Sequence, residues 1–172
     1  FPLKGGRNFD VACDEDWVRL GSIVGRMHLV GRKEAAVERV VCSPRETTAA
    51  EIEQLAGSGL IPEDLLEEFT RVCFETVEFI APLFRDVENI RIHGDCHRGN
   101  ILDRLDEGLL IIDFDDMMTG PPVQDLWLLL PGHLGECPVE TDLLLSGYRQ
   151  FQEFDERTLS LIEPLRFMRI IY

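Results

Sequence analysis

Apolar positions along this chain repeat at helical spacing through both flanks and condense into short β-branched runs in the middle. Trp17, Leu20, Val24 and Met27 recur every three or four residues, which marks one buried helical stripe. With Asp14 as N-cap and Gly31 as a stop, the stripe predicts a helix from Asp14 to about Val30. His28, one position beyond the stripe, reads as a packed structural histidine. Thr48-Ala49-Ala50-Glu51 has the capping-box pattern, and Gly57 and Gly59 close the short helix it opens. Pro62 suits the first turn of a longer helix to about Ala81, whose apolar side carries Leu65, Leu66, Phe69, Val72, Cys73, Val77 and Ile80. Then the period changes. Ile90-Arg91-Ile92 and Leu109-Leu110-Ile111-Ile112 read as strands, Ile101-Leu102 as a brief third, with Asp103 to Gly108 as a turn. After Gly120-Pro121-Pro122, helices are expected over Gln124 to Leu130, Val139 to Phe154, and from Arg157 onward. Leu143, Leu144, Gly147, Tyr148, Phe151 and Phe154 form the core face of the second. The fold class is α+β, mostly helical, with a small β element at its centre.

Composition narrows this picture. A chain of 172 residues supports one good core, and 45% hydrophobic with 28% charged residues is a globular balance. With 17 basic against 32 acidic residues the net charge is −15, which opposes non-specific nucleic-acid binding. Acidity of this kind serves solubility, or favours a cationic substrate. The cysteines Cys13, Cys42, Cys73, Cys96 and Cys137 are odd in number and form no C-x-x-C pair. They read as reduced thiols in a cytoplasmic protein, Cys96 being a small loop filler. No signal peptide opens the chain, and no apolar run approaches the ~20 residues a membrane span requires.

The chemistry concentrates in His93-Gly94-Asp95-Cys96-His97-Arg98-Gly99-Asn100 and, thirteen residues after Asn100, Asp113-Phe114-Asp115-Asp116. Asp95 follows a strand and can project into a cleft to accept a proton from a hydroxyl. Asn100 and Asp113 offer a neutral and an anionic oxygen, hard donors of the kind Mg²⁺ accepts beside phosphate oxygens. That order and spacing is the kit of phosphoryl transfer, where positioning and charge neutralisation dominate. Gly94 and Gly99 sit where the loop turns sharply or nears another backbone. His93 reads as a buried organiser of the loop. His97 either touches the transferred phosphate or braces Asp95; Arg98 is a phosphate neutraliser or an exposed loop residue. Asp115 and Asp116 are further metal contacts or structural caps, and Asp125 suits a helix-start acid accepting backbone N–H bonds. A metal hydrolase is disfavoured by four histidines with no H-E-x-x-H pair. Cys–His nucleophilic catalysis fails because Cys96 and His97 are adjacent.

These residues resemble the aminoglycoside phosphotransferase and choline kinase superfamily, whose signature is H-G-D-x-H-x-x-N followed by an apolar-Asp strand end. His93 to Asn100 and Ile111 to Asp115 match it in place. Within the superfamily the chain is most similar to the bacterial stress-response kinase A group. Phe1-Pro2 with Gly5-Gly6-Arg7-Asn8-Phe9, Gly120 to Trp127, and Ile162-Glu163-Pro164-Leu165-Arg166 extend the likeness along nearly the whole chain. The resemblance implies the C-terminal lobe of a protein kinase-like fold, with residues 1–8 as hinge from a missing N-terminal lobe and 9–172 as the lobe itself, truncated at its C-terminal helix. It implies ATP and Mg²⁺ as cofactors, Asp95 as catalytic base and Asn100 and Asp113 as metal ligands. Asp125 would steady the catalytic loop from beneath, and Phe1, Pro2 and Leu3 would edge the adenine. Gly94 and Asp115 stand where eukaryotic protein kinases carry Arg and Gly, so a phosphorylated activation-loop switch is not expected. The implied activity is transfer to a hydroxyl, with protein Ser/Thr favoured in a stress-response role. The alternatives are a small-molecule kinase of aminoglycoside, choline or homoserine type, and a non-catalytic kinase-like binding module. The protein is expected to be a monomer that uses no nucleic acid or membrane, and this chain alone is expected to be inactive because no Gly-rich phosphate loop precedes the hinge.

Overall fold

A computed structural model describes residues 5–34, 36–104 and 107–172. Its helices are α1 (Asp14–Gly31), α2 (Ala49–Gly57), α3 (Glu63–Ile80), α4 (Val123–Trp127), α5 (Pro138–Tyr148) and α6 (Ile162–Ile171). The strands are β1 (Arg7–Asn8), β2 (Ile90–Ile92), β3 (Ile101–Arg104), β4 (Gly108–Ile111) and β5 (Met118–Gly120). They form two small antiparallel sheets, one ordered β1-β3-β4 and one pairing β2 with β5. The β2–β5 register, Ile90 opposite Gly120 and Ile92 opposite Met118, delivers the chain straight into the His93 loop. The β3–β4 hairpin places Ile101 opposite Ile111, so Asn100 and Ile112 leave the sheet side by side.

The main core gathers Trp17, Leu20 and Val24 of α1 with Leu144, Leu145 and Tyr148 of α5 and Leu161, Ile162 and Leu165 around the start of α6. The tight contact of α1 with α5 requires Gly147, where a Cβ would stand 2.0 Å from the Val18 carbonyl oxygen. A second, smaller core of Ile52, Cys73, Val77 and Ile171 joins α2, α3 and α6. Helix α6 therefore seams the two cores together.

Several element ends differ from the sequence expectation. Cys13, in extended conformation, occupies the cap position of α1, and Asp14 is its first helical residue. The reaching-back role falls to Asp16, whose Oδ2 accepts the Ala12 N–H at 3.0 Å. The capping box at Thr48 does not form: Ser43 caps one turn earlier, at the start of a π-helical turn over Pro44–Thr48. Pro44 at the first helical position explains the shift, since its fixed φ and missing N–H suit a helix start. Helix α4 is shorter than Gln124 to Leu130. Helix α5 stops at Tyr148 rather than Phe154, because Phe154 packs edge-on against Tyr148 with ring centroids 5.6 Å apart. Six residues along a straight helix point about 240° round from the start, so the chain must turn to bring these rings together. Phe151 is left 38% exposed. The segment after Arg157 begins as a 3₁₀ turn, Glu156–Leu161, before α6. Strands β1 and β5 escaped the pattern because two and three residues are too short to show a period.

Candidate active site

The loop after β2 is held by one buried carboxylate. Asp125, fully buried on α4, accepts the His93 N–H at Oδ2 (2.8 Å) and the Gly94 N–H at Oδ1 (2.9 Å). A third bond joins its Oδ2 to His28 Nε2 at 2.9 Å, while His28 Nδ1 lies 3.0 Å from the Tyr148 hydroxyl. One tautomer satisfies the chain: Nε2–H donates to Asp125 and Nδ1 accepts from Tyr148. Burial pushes the Tyr148 hydroxyl up to about 12, so it keeps the proton it donates. His28 is thus a structural histidine, but it continues the Leu20–Val24 line into the core instead of lying beside it. Gln124 adds a further tie, its Nε2 donating to the Gly94 carbonyl at 3.0 Å.

Gly94 has a left-handed φ of 87°, and a Cβ there would stand 2.2 Å from the Asp116 carbonyl oxygen. No side chain fits. His93 is fully buried; its Nε2 donates to the Ile112 carbonyl at 2.8 Å, and its Nδ1 accepts the Asp95 N–H at 3.3 Å. Cys96 fills the main core beneath the loop, and burial drives its thiol well above the ordinary 9.0.

Above this base stand the acids. The Asp95 side chain is partly exposed; its Oδ1 accepts from Arg169 Nη2 at 2.5 Å, and its Oδ2 faces His97 Nε2 at 3.5 Å. Asn100 donates Nδ2–H to the Asp95 backbone carbonyl at 3.0 Å. That bond orients the amide so that Oδ1 is the atom left to accept or coordinate. Asp113 is exposed with a left-handed φ of 64°. Its neighbours are anchored to the same loop: the Ile112 N–H donates to the Asn100 carbonyl at 3.0 Å, and Phe114 packs against His93 at 4.6 Å between centroids. The loop after β2, which carries His93, Asp95, His97 and Asn100, is therefore bonded to the end of β4 that leads to Asp113, with Asp125 of α4 beneath it. Among the described residues no three His, Cys, Asp or Glu side chains gather as a self-sufficient metal cage. An amide oxygen and one carboxylate suit a hard cation that takes its other ligands from phosphate and water, as Mg²⁺ does.

The neighbouring residues resolve as follows. Arg98 lies 5.9 Å from the Trp17 ring centroid. The Asp115 carbonyl accepts from Arg39 at 2.7 Å, and the Asp116 carboxylate accepts the Tyr172 hydroxyl at 3.2 Å. Phe1, Pro2 and Leu3, the expected adenine edge, lie outside the described residues. Arg169, in contact with the Asp95 carboxylate, is a residue that sequence reasoning missed. Its signal was present, because Leu165, Met168, Arg169 and Tyr172 fall at helical spacing, and a cation in an apolar stripe calls for a partner. Beside the loop is a cavity of about 70 Å³, with Val40, Cys42, Met118, Leu165 and Met168 among its walls and Glu51, Asp116 and Arg169 also lining it.

The model of the phosphotransferase enzyme family matches residues 2–162. The chain belongs to that family. It is 37% identical to the stress response kinase A of Escherichia coli over its whole length, which corresponds to 52% of that relative. It is 35% identical, with the same coverage, to a Salmonella typhimurium protein named serine/threonine protein kinase RdoA. The chain thus spans about half the length of the curated relatives it matches. Among solved structures, an amicoumacin kinase in complex with AMP-PNP, Ca²⁺ and Ami aligns with a TM-score of 0.73 at 19% identity, over 98% of this chain and 53% of that one. A spectinomycin phosphotransferase with ADP and spectinomycin aligns at 0.60 and 18%, over 99% and 56%. At these identities the likeness is one of fold, and the expected α+β, phosphotransferase-type lobe is the fold found. No helix among the described residues is long and apolar enough to cross a membrane.

Proposed function

We propose that the protein carrying this chain is a cytoplasmic, monomeric, ATP- and Mg²⁺-dependent kinase that moves the γ-phosphate to a protein serine or threonine in a stress response. The observation that carries this reading is the arrangement of Asp95. A partly exposed carboxylate stands on a loop pinned from below by Asp125, with the Asn100 amide donating to the Asp95 backbone carbonyl. Asp95 takes the proton of the acceptor hydroxyl, and its fixed backbone spares the reaction the entropy of ordering that group. Asn100 Oδ1 and the Asp113 carboxylate hold the cation, which when bound neutralises charge on the phosphate oxygens. Residues 9–172 act as the C-terminal lobe and 1–8 as hinge, while groups outside this chain grip the nucleotide, so this chain alone transfers no phosphate. The name of the Salmonella typhimurium relative supports protein Ser/Thr as acceptor, and that of the Escherichia coli relative supports a stress-response role.

The test is phosphotransfer by the full-length protein from labelled ATP, offered protein acceptors in one arm and small alcohols in another. Asp95→Asn is expected to lower kcat by about 10²- to 10⁴-fold, the usual contribution of a general base. Transfer that survives this change intact sinks the assignment. Label found on small alcohols and never on protein Ser/Thr overturns the acceptor.

A further inference from the structure

The contact between Asp95 and Arg169 has no role in the reading above, although it joins the proposed base to a helix 74 residues away. A carboxylate on a loop rotates about a broad, nearly two-fold torsion. A base that must meet a hydroxyl in one geometry gains from having that rotation stopped. Arg169 does this from one side only. Its Nη2 takes Oδ1 at 2.5 Å, a short charge-assisted bond, whereas His97 at 3.5 Å from Oδ2 is beyond a good hydrogen bond. The pair is partly shielded, with the Asp95 side chain 18% and the Arg169 side chain 36% exposed.

The guanidinium is also presented from a rigid element. Leu165 and Met168 bury α6 in the main core and Ile171 buries it in the second. An Arg placed here for stability alone would be a poor choice, since Asp95 could be solvated instead and a partly exposed ion pair contributes little. Arg169 also lines the cavity beside the loop, together with Gly94 and Asp116.

We infer that Arg169 is the positioning residue for the base: by gripping Oδ1 it orients the Asp95 carboxylate and leaves Oδ2 as the oxygen that receives the acceptor's proton. The proton passes from the hydroxyl to Oδ2 while the hydroxyl oxygen bonds the γ-phosphorus and the bond to the departing ADP breaks. Arg169 acts through Asp95 and exchanges no proton. This inference rests on the phosphotransfer reading and adds to it a residue that the signature motif does not contain.

The experiment measures kcat and KM of the full-length protein for wild type, Arg169→Ala, Arg169→Lys and Asp95→Asn, with melting temperatures for each. Misplacing a catalytic group costs up to about 10²-fold, so Arg169→Ala is expected to lose roughly 10- to 100-fold in kcat, with KM for ATP within about two-fold. Arg169→Lys keeps the charge without the planar fork and recovers part of the loss. Added guanidinium ion raises turnover of Arg169→Ala, leaves Asp95→Asn unmoved, and does not change either melting temperature. Should Arg169→Ala fail to fold, the Lys variant carries the test, and a kcat equal to wild type refutes the inference. It is also overturned by Arg169→Ala turning over within about two-fold of wild type or faster, or by a rise in acceptor KM with kcat retained. Full turnover by Asp95→Asn would instead remove the underlying reading.

Discussion

Replacing Asp125 by Asn removes one charge and barely changes shape, which makes it a sharp probe of how the active loop is held. The carboxylate accepts three bonds, from His93 N–H, Gly94 N–H and His28 Nε2, in a site with no solvent exposure. An amide has one oxygen. If that oxygen takes the Oδ1 place and serves Gly94, the NH₂ group faces the His93 N–H, although His28 can switch tautomer and accept from it. If it takes the Oδ2 place, His93 and His28 are served and the NH₂ group faces the Gly94 N–H. Either way one buried backbone donor is stranded, at about 1–3 kcal/mol. Since 1.4 kcal/mol is tenfold in an equilibrium, local opening of the loop should become roughly 5- to 150-fold more frequent. Urea unfolding of the full-length protein reads the global loss, and native-state hydrogen exchange at the His93 and Gly94 amides reads the local one. An Asp125→Asn protein within about 0.5 kcal/mol of wild type, with both amides exchanging at the original rate, would refute the account.

Gly147→Ala tests the closeness of α1 and α5. Its Cβ would lie 2.0 Å from the Val18 carbonyl oxygen, so the helices must separate, at about 1–3 kcal/mol or more; an unchanged urea midpoint would show that the helices do not meet there. Stability should also fall at alkaline pH. Burial raises Tyr148 from 10.0 to about 12 and Cys96 well above 9.0, so the native state keeps protons that the unfolded chain releases. The stabilisation is complete below about pH 9 and is lost as pH rises through the folded values. Urea midpoints measured across that range should decline, less so in Tyr148→Phe, and a flat profile contradicts the burial of both groups. In the native protein at neutral pH, alkylation should reach exposed Cys13 and spare Cys96.

The pattern of residues specified a good deal of this site. His93, Gly94 and Asp95 follow β2, Asn100 directly precedes β3 and Asp113 follows β4, at places that short apolar runs already announce, because a strand bounded by a polar loop can be read from local composition. Local signals failed where a competing neighbour overrode them or where the deciding partner was distant. The Thr48 capping box lost to Ser43 and Pro44, and the long helix through Phe154 lost to the edge-on packing of Phe154 against Tyr148. His28 could be identified as structural from its place near an apolar stripe, yet its bonds to Asp125 and Tyr148 span 97 and 120 residues. Spacing along the chain carries no record of them.

The chain by itself pointed to the proposed class of chemistry, since an Asp, an Asn five residues on and an Asp after a β-branched run are local facts of order and residue type. It also determined which helices exist, since their stripes repeat within a turn or two. The tertiary structure decided how the proposed base is held. Asp125 beneath the loop and Arg169 across it act through charge-assisted bonds formed only when α4 and α6 pack against the strand ends. Those bonds depend on distances of about 3 Å or less between residues that nothing but folding brings together.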